Sequence, residues 1–182
     1  MARLPYIDIE ELAEKDQDLL KRPINLFRQL VNSPGGARAF GTLGSYIRHK
    51  SALDPRLREM AIIQVGYCTN SEYEYTHHVR LGQEQFGVSA DDINAITAET
   101  NGKSSDLSEL EKTILRSARD MVTSLKISDD DFTVLKNALS HEHLIDLVIT
   151  IAFYCAVVRV LATLEIDNEP HYKEVLKKFP LP

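Results

Sequence analysis

The chain has 182 residues, of which 43% are hydrophobic and 26% are charged, as in ordinary soluble globular proteins. A chain of this length can bury a sizeable core, so we expect one domain over residues 1–182. Its formal net charge of −6 excludes a general nucleic-acid binder, which needs a basic surface. No secretory signal pattern opens the sequence, and its two cysteines, Cys68 and Cys155, have neither metal nor redox spacing. These features predict a cytoplasmic protein.

The first half of the chain shows helical patterns with clear boundaries. Apolar residues in the N-terminal segment 1–50 predict two helices flanking a turn at residues 33–36. In the motif segment 51–100, Asp54 followed by a proline is a typical helix start. We expect that helix to break at residues 68–70 and a second helix to run from about Asn70 or Ser71 to about residue 86.

The second half continues the helical pattern after a polar loop at residues 101–105. Ser108 with a glutamate three residues later fits a capping box, and Ser128 and an aspartate repeat it in a weaker form. Apolar spacings of three and four fill the second helical half, 106–167, which precedes a C-terminal tail, 168–182. Strand patterns are scarce, so the sequence predicts an all-α fold.

The stretch from residue 144 to residue 164 is nearly all apolar, reading LIDLVITIAFYCAVVRVLATL. Asp146 and Arg159 interrupt it and leave only residues 147–158 without charge. A membrane span needs about 20 apolar residues. We therefore expect a central helix that protein buries on most sides, and no membrane partner.

Glu74 and His78 form the chemical pattern of greatest interest. They stand one turn apart on the predicted second helix, where a carboxylate can orient an imidazole and raise its basicity. Such a pair can serve as a general acid or base near neutral pH. The same spacing also occurs as an ordinary surface pair worth a few tenths of a kcal/mol, about 0.2–0.5.

Three segments resemble the carboxymuconolactone decarboxylase family, which includes the alkylhydroperoxidase D-like proteins. They are RLREMAIIQV, YEYTHHVRLGQEQFGVS and LVITIAFYCAVVRVLATLEID, which begin at residues 56, 73 and 147. The resemblance covers about two-thirds of the chain. It implies an alkylhydroperoxidase D-like helical bundle, assembled as a homo-oligomer, either a trimer or a hexamer.

The peroxidase branch of that family carries a glutamate, a Cys-x-x-Cys motif and a histidine at fixed spacing. Counted from Glu59, the cysteine positions fall on Ser71 and Glu74, and the histidine position falls on His78. The spacing is kept, but both thiols are absent. Disulfide-linked peroxide reduction needs an attacking and a resolving thiol, so the resemblance disfavours a thiol peroxidase.

The decarboxylase branch resembles this chain more closely, because it has a glutamate and a histidine where Glu74 and His78 stand. The resemblance implies a decarboxylase-like lyase or isomerase acting on a small, anionic, conjugated lactone or keto acid, without a cofactor. In that scheme His78 is the proton shuttle, Glu74 orients it, and Glu59 is a second carboxylate from the preceding helix. Two carboxylates beside one imidazole are expected to raise the pKa of one of the carboxyl groups. A non-catalytic, oligomeric binding protein for small molecules is a further alternative.

Three residues are candidates for binding the substrate: Ser71, Tyr73 and Arg159. Tyr73 could donate a hydrogen bond to a substrate carboxylate or could be a core or subunit contact. Arg159 lies in the apolar stretch, where a buried arginine must be paired. It could bind a substrate carboxylate or neutralise Asp146 or Glu59.

His77 adjoins His78 but points about 100° away round the helix, so we expect it at an interface or on the surface. A metal is a further alternative, bound by Glu59, Glu74 and His78, with or without His77. Metal sites in helical bundles use Glu-x-x-His, whereas this chain has Glu-x-x-x-His. We therefore predict no native metal.

Overall fold

The computed structural model describes residues 2–182, which form nine α-helices, three 3-10 segments and no β-strand. The helices are α1 (Asn25–Leu30), α2 (Pro34–His49), α3 (Pro55–Cys68), α4 (Glu72–Gln85), α5 (Ala90–Thr100), α6 (Glu109–Thr123), α7 (Asp129–Ala138), α8 (His141–Leu164) and α9 (Glu174–Lys178). The 3-10 segments are Ile9–Glu11, Glu14–Leu20 and Pro170–Tyr172. The all-α prediction is confirmed.

Helix boundaries follow the capping residues that the sequence indicates. The Asp54 side chain accepts from the backbone N–H of Leu57 at the start of α3, and Ser108 forms its capping box at the start of α6. The sequence predicts a turn at residues 33–36, but in the structure the turn ends at Ser33, the N-cap of α2. Pro34 already occupies the first position of α2, where its fixed φ suits a helix and its missing N–H costs nothing.

Helix α3 is the centre of the bundle and packs against α4, α5, α6 and α8. Every residue from Arg58 to Tyr67 is buried, although this stretch contains an arginine, a glutamate and a glutamine. Such polar groups remain buried only where they find partners. The most enclosed helix of the protein therefore also places charged side chains in the core.

Helices α3 and α4 form a close antiparallel hairpin. Asn70 takes a φ of 49° between them, a left-handed conformation that asparagine tolerates better than most residues. At Gly66, a Cβ atom would stand only 2.9 Å from the backbone nitrogen of Tyr75. The absence of a side chain there lets the two backbones approach, which brings α4 within reach of side chains from α3.

The long apolar helix is α8, and it is less enclosed than the sequence analysis expects. Its length and composition would allow it to cross a membrane, but half of its most apolar window is buried in the protein. Its buried face packs into the main core through residues such as Leu147 and Ile151, whereas Ile145 and Arg159 are exposed. The prediction that protein buries this helix is confirmed for one face of α8, whereas the central position in the bundle belongs to α3.

Candidate active site

His78 lies between two buried glutamates. Its Nδ1 is 2.6 Å from Glu59 Oε2, across the α3–α4 contact, and its Nε2 is 3.0 Å from Glu74 Oε1, one turn back on α4. Both carboxylates and the ring are almost completely buried, with at most 7% of any of the three side chains exposed. The structure therefore brings together all three residues that the sequence analysis assigns to catalysis.

The charges of this group are balanced inside the core. Arg58, only 2% exposed, donates from Nε and Nη2 to Glu59 Oε1, each at 3.3 Å. Its guanidinium also lies over the ring of Phe86, 4.6 Å from the centroid. With a guanidinium permanently charged, the two carboxylates are neutralised fully only when His78 is an imidazolium.

The pKa of His78 reflects this arrangement. Burial by itself would lower it, but the charges of Glu59 and Glu74, together with the hydrogen bond to Glu59, outweigh that effect and raise the pKa to about 9. At neutral pH His78 therefore holds a proton on both ring nitrogens. The two carboxylates thus act on the pKa of the imidazole between them.

A small cavity of about 40 Å³ lies on one side of this group. Glu74 and His78 line it, whereas Glu59 lies behind the ring and does not. Its lining otherwise comes from the segment before α1 and from α1, α2, α4 and α8, and includes Arg22, Arg48, Leu81, Phe153 and Tyr154. Glu59 thus positions His78, and Glu74 and His78 face any molecule in the cavity.

Glu74 has spare capacity on the cavity side. Its Oε1 is buried and, although close to His78 Nε2, makes no well-directed hydrogen bond. Burying a carboxylate oxygen without a directed hydrogen-bond donor destabilises a protein. This oxygen can accept a proton or a hydrogen bond from a bound molecule.

His77 is neither on the surface nor near Glu59. Its ring is stacked between Tyr73 and Tyr172, with centroid distances of 4.1 and 3.6 Å, and its Nε2 is 2.8 Å from Glu169 Oε2. Burial is the main cause that lowers the pKa of His77, so the ring is neutral at pH 7 and donates from Nε2 to Glu169. The expectation of an interface or surface histidine is corrected, because the segment after α8 folds back and covers it.

Glu169 organises this second group and is absent from the sequence analysis. It accepts from the Nε2 of His77, from the backbone N–H of Asn25 and from the hydroxyl of Tyr73. Burial would raise the pKa of Glu169, but these donors lower it to about 2. Tyr73 lines the cavity, yet its hydroxyl already contacts Glu169 and also lies 3.1 Å from the backbone nitrogen of Leu26. Tyr73 is thus tied into the framework, which favours the core contact among its alternatives.

Ser71 and Arg159, the other two binding candidates, lie elsewhere. Both line a separate, open groove between the start of α4 and the end of α8, and neither lines the cavity beside His78. Arg159 is exposed and donates to the backbone oxygen of Cys155 in the preceding turn. Asp146 is bonded instead by Tyr46 and Ser51. The interpretation of Arg159 as a buried arginine that needs a carboxylate is therefore wrong, because that side of α8 faces outward.

Thiol and metal chemistry have little support from the side chains. Cys68 Sγ lies 3.0 Å from Gln64 Nε2, and Cys155 is buried in the main core. Burial raises the pKa of both thiols, and neither lines the cavity. Within residues 2–182, no group of three or more histidine, cysteine, aspartate or glutamate side chains has the geometry of a metal site.

Sequence reasoning also misses Arg48 and Tyr154 in the cavity wall. They stand on α2 and α8, more than a hundred positions apart, and only the packing of those helices brings them to His78. A signal for Tyr154 exists in the sequence, because a tyrosine in an apolar helix carries a hydroxyl that needs a partner. Arg48 has no comparable local signal.

Comparisons with known proteins support the resemblance. Residues 34–101 match the carboxymuconolactone decarboxylase family. A comparison with curated proteins finds no significant match. Among solved structures, an uncharacterised peroxidase-related protein with the alkylhydroperoxidase AhpD core, from Ralstonia eutropha, shares 18% identity with a TM-score of 0.76 over 94% of each chain.

Two further structures show the same architecture. The debrominase Bmp8, solved as a cysteine-to-alanine variant in complex with 2,3,4-tribromopyrrole, shares 20% identity with a TM-score of 0.75, over 91% of this chain and 87% of that one. A protein of unknown function from Agrobacterium tumefaciens, described as a putative antioxidant defence protein AhpD, shares 20% identity with a TM-score of 0.68, over 78% of this chain and 95% of that one. The chain thus has the AhpD-like fold and carries the sequence pattern of the carboxymuconolactone decarboxylase family over residues 34–101.

Proposed function

We propose that the protein is a cofactor-independent lyase or isomerase that transfers a proton at a carbon atom of a small, anionic, conjugated lactone or keto acid. The observation that carries this proposal is the buried His78, held as an imidazolium between Glu59 and Glu74 beside a cavity. A side chain that keeps a proton at neutral pH and faces a small-molecule cavity is a candidate general acid.

The proposed direction of proton transfer follows from the geometry. His78 Nδ1 is turned toward Glu59, which lies outside the cavity, so the reactive proton is the one on Nε2, beside Glu74. In a decarboxylation, the carbon–carbon bond to the carboxylate breaks, carbon dioxide leaves, and the electron pair moves into the conjugated carbonyl. The resulting enolate carbon then takes the proton from His78 Nε2, directly or through Glu74 Oε1, and solvent restores it.

An isomerisation would use the same groups in a different order. Glu74, with an oxygen free of directed hydrogen bonds, would remove a proton from the carbon next to a carbonyl, and His78 would return one at another position. The ligand of the similar debrominase, a small conjugated ring, supports a planar substrate. The chain differs from a thiol peroxidase in having no cysteine on the cavity wall.

The experiment that tests this proposal is a screen of the purified full chain for release of carbon dioxide and for uptake of solvent deuterium. The compounds are carboxylated lactones, β-keto acids and conjugated lactones without the extra carboxylate. We expect release with at least one carboxylated compound, or deuterium at carbon with an uncarboxylated one. Binding without either signal would support the alternative of a non-catalytic binding protein, and turnover of a hydroperoxide instead would contradict the proposal.

We further propose that the protein is soluble, cytoplasmic and a homo-oligomer, the trimer or hexamer that the resemblance implies. The outward side of α8 supports self-association, because it exposes apolar residues such as Ile145, which is 58% exposed, and Ala152. Light scattering by the purified chain tests this: a monomer at all concentrations would contradict it.

A further inference from the structure

The hydroxyl of Tyr154 is a buried donor for which the described residues supply no acceptor. Tyr154 is 2% exposed, lines the cavity and meets the ring of His78 edge-on, with 4.8 Å between the centroids. Buried tyrosine hydroxyls almost always find a hydrogen-bond partner. Within residues 2–182, Arg48 can donate to the Tyr154 oxygen, but no group accepts the hydroxyl proton. Burial raises the pKa of Tyr154, so the hydroxyl keeps its proton and remains a donor.

Arg48 lies in the same wall. A Cβ atom on Gly44, one turn earlier on α2, would be 3.5 Å from Arg48 Nη1 and 3.5 Å from Phe153 Cε1. The guanidinium therefore folds back along α2 toward Phe153, the residue that precedes Tyr154 on α8. Its charge is close enough to act on the Tyr154 hydroxyl, where it opposes the effect of burial on the pKa.

Within residues 2–182, no carboxylate forms an ion pair with Arg48. Glu59 and Glu74 are already balanced by Arg58 and His78, and the part of the chain that the structure describes offers Arg48 no carboxylate partner. A half-buried guanidinium on a cavity wall favours an anion inside. Tyr154 adds a neutral hydrogen-bond donor to the same wall.

We infer that Arg48 and Tyr154 together form the site that holds an anionic oxygen of the ligand, a carboxylate or an enolate, next to Glu74 and His78. This inference rests on the proposed function and assigns the binding role to residues other than Ser71 and Arg159. Both donors strengthen as negative charge moves onto the oxygen, which is the behaviour of an oxyanion site. The ligand class is a small planar acid whose carboxylate or carbonyl is conjugated with the reacting carbon.

The test is a binding measurement that needs no turnover. Furan-2-carboxylate, a planar conjugated monoanion, and its neutral isostere furan-2-carboxamide are titrated into the full chain by calorimetry. We expect wild type to bind the carboxylate and to prefer it over the carboxamide. Tyr154→Phe should weaken binding of the carboxylate by about tenfold or more, and Arg48→Met by at least as much, because each removes a hydrogen bond to a charged group.

Matched controls come from the same chain. Tyr75→Phe removes another buried, unpartnered hydroxyl, one that belongs to the second core cluster and lies away from the cavity. Arg159→Met removes the arginine of the separate groove. Both variants should bind the carboxylate as wild type does, and thermal melting should show all four variants folded.

Several outcomes would overturn the inference: no binding of the carboxylate by wild type, equal binding of the carboxamide, or undiminished binding by a folded Tyr154→Phe or Arg48→Met. Failure of the proposed function looks different. If the protein binds furan-2-carboxylate through Arg48 and Tyr154 but exchanges no carbon-bound proton with any compound, that result supports the anion site and contradicts the proposed enzymatic activity.

Discussion

Replacing His78 by glutamine should lower kcat by about 10²–10⁴-fold while the protein stays folded. Glutamine fills a similar volume and can still hydrogen-bond with Glu59, but it has no proton to donate near neutral pH. Because the proton on Nε2 is the one that faces the cavity, we expect the loss in kcat rather than in KM. The measurement is steady-state turnover of the compound that the screen identifies.

His77→Gln is the matched control for this prediction. His77 is the adjacent histidine, is also buried and also lines the cavity, but its partner is Glu169 and its ring is neutral. We expect this variant to keep kcat within about tenfold of wild type. Full activity in His78→Gln, or an equal loss in both variants, would contradict the assignment of the proton to His78.

Replacing Glu59 by glutamine should destabilise the protein by about 3–5 kcal/mol, because it leaves a buried cation without its carboxylate. Arg58 is 2% exposed and Glu59 is fully buried, so water cannot replace the lost partner. His78 loses a carboxylate at 2.6 Å in the same change. The measurement is urea unfolding of both proteins, compared as free energies of unfolding.

The pH dependence gives this prediction a sign. The pKa of His78 is raised from 6.5 to about 9 on folding, so the stabilisation from its proton is complete below pH 6.5 and is lost as pH rises through about 9. The difference in stability between wild type and Glu59→Gln should therefore be larger at pH 6 than at pH 10.

The control is Glu84→Gln, which breaks an exposed pair with Arg80 and should lower the free energy of unfolding by no more than about 1 kcal/mol. A Glu59→Gln protein as stable as wild type at pH 6 would contradict the account.

Much of the framework could be predicted from the sequence, because local signals determine it. Capping residues such as Asp54 and Ser108 act within one turn, so they mark helix starts without any knowledge of the tertiary structure. The spacing of Glu74 and His78 likewise follows from the helical period alone. Placing Glu59 beside them needed the family resemblance, since the contact crosses from α3 to α4.

The remaining features depend on how distant elements meet. Glu169 and Tyr172 reach His77 only because the chain after α8 folds back over α4. The exposure of Arg159 could not be predicted from its apolar neighbours, since α8 is apolar on its outward side as well as its inward side. Apolar composition shows that a helix can be buried, but the elements that pack against the helix determine which of its faces is buried.

The charge state of His78 is the central claim, and a side-chain NMR titration of the 15N-histidine-labelled protein tests it without a substrate. The signal that disappears in His78→Gln identifies the residue. We predict that both ring nitrogens of His78 carry protons at neutral pH and that the ring titrates at about 9. A His78 ring that is neutral at pH 7, with a pKa at or below the ordinary 6.5, would contradict it, because the two glutamates would then not hold the proton that the proposed chemistry uses.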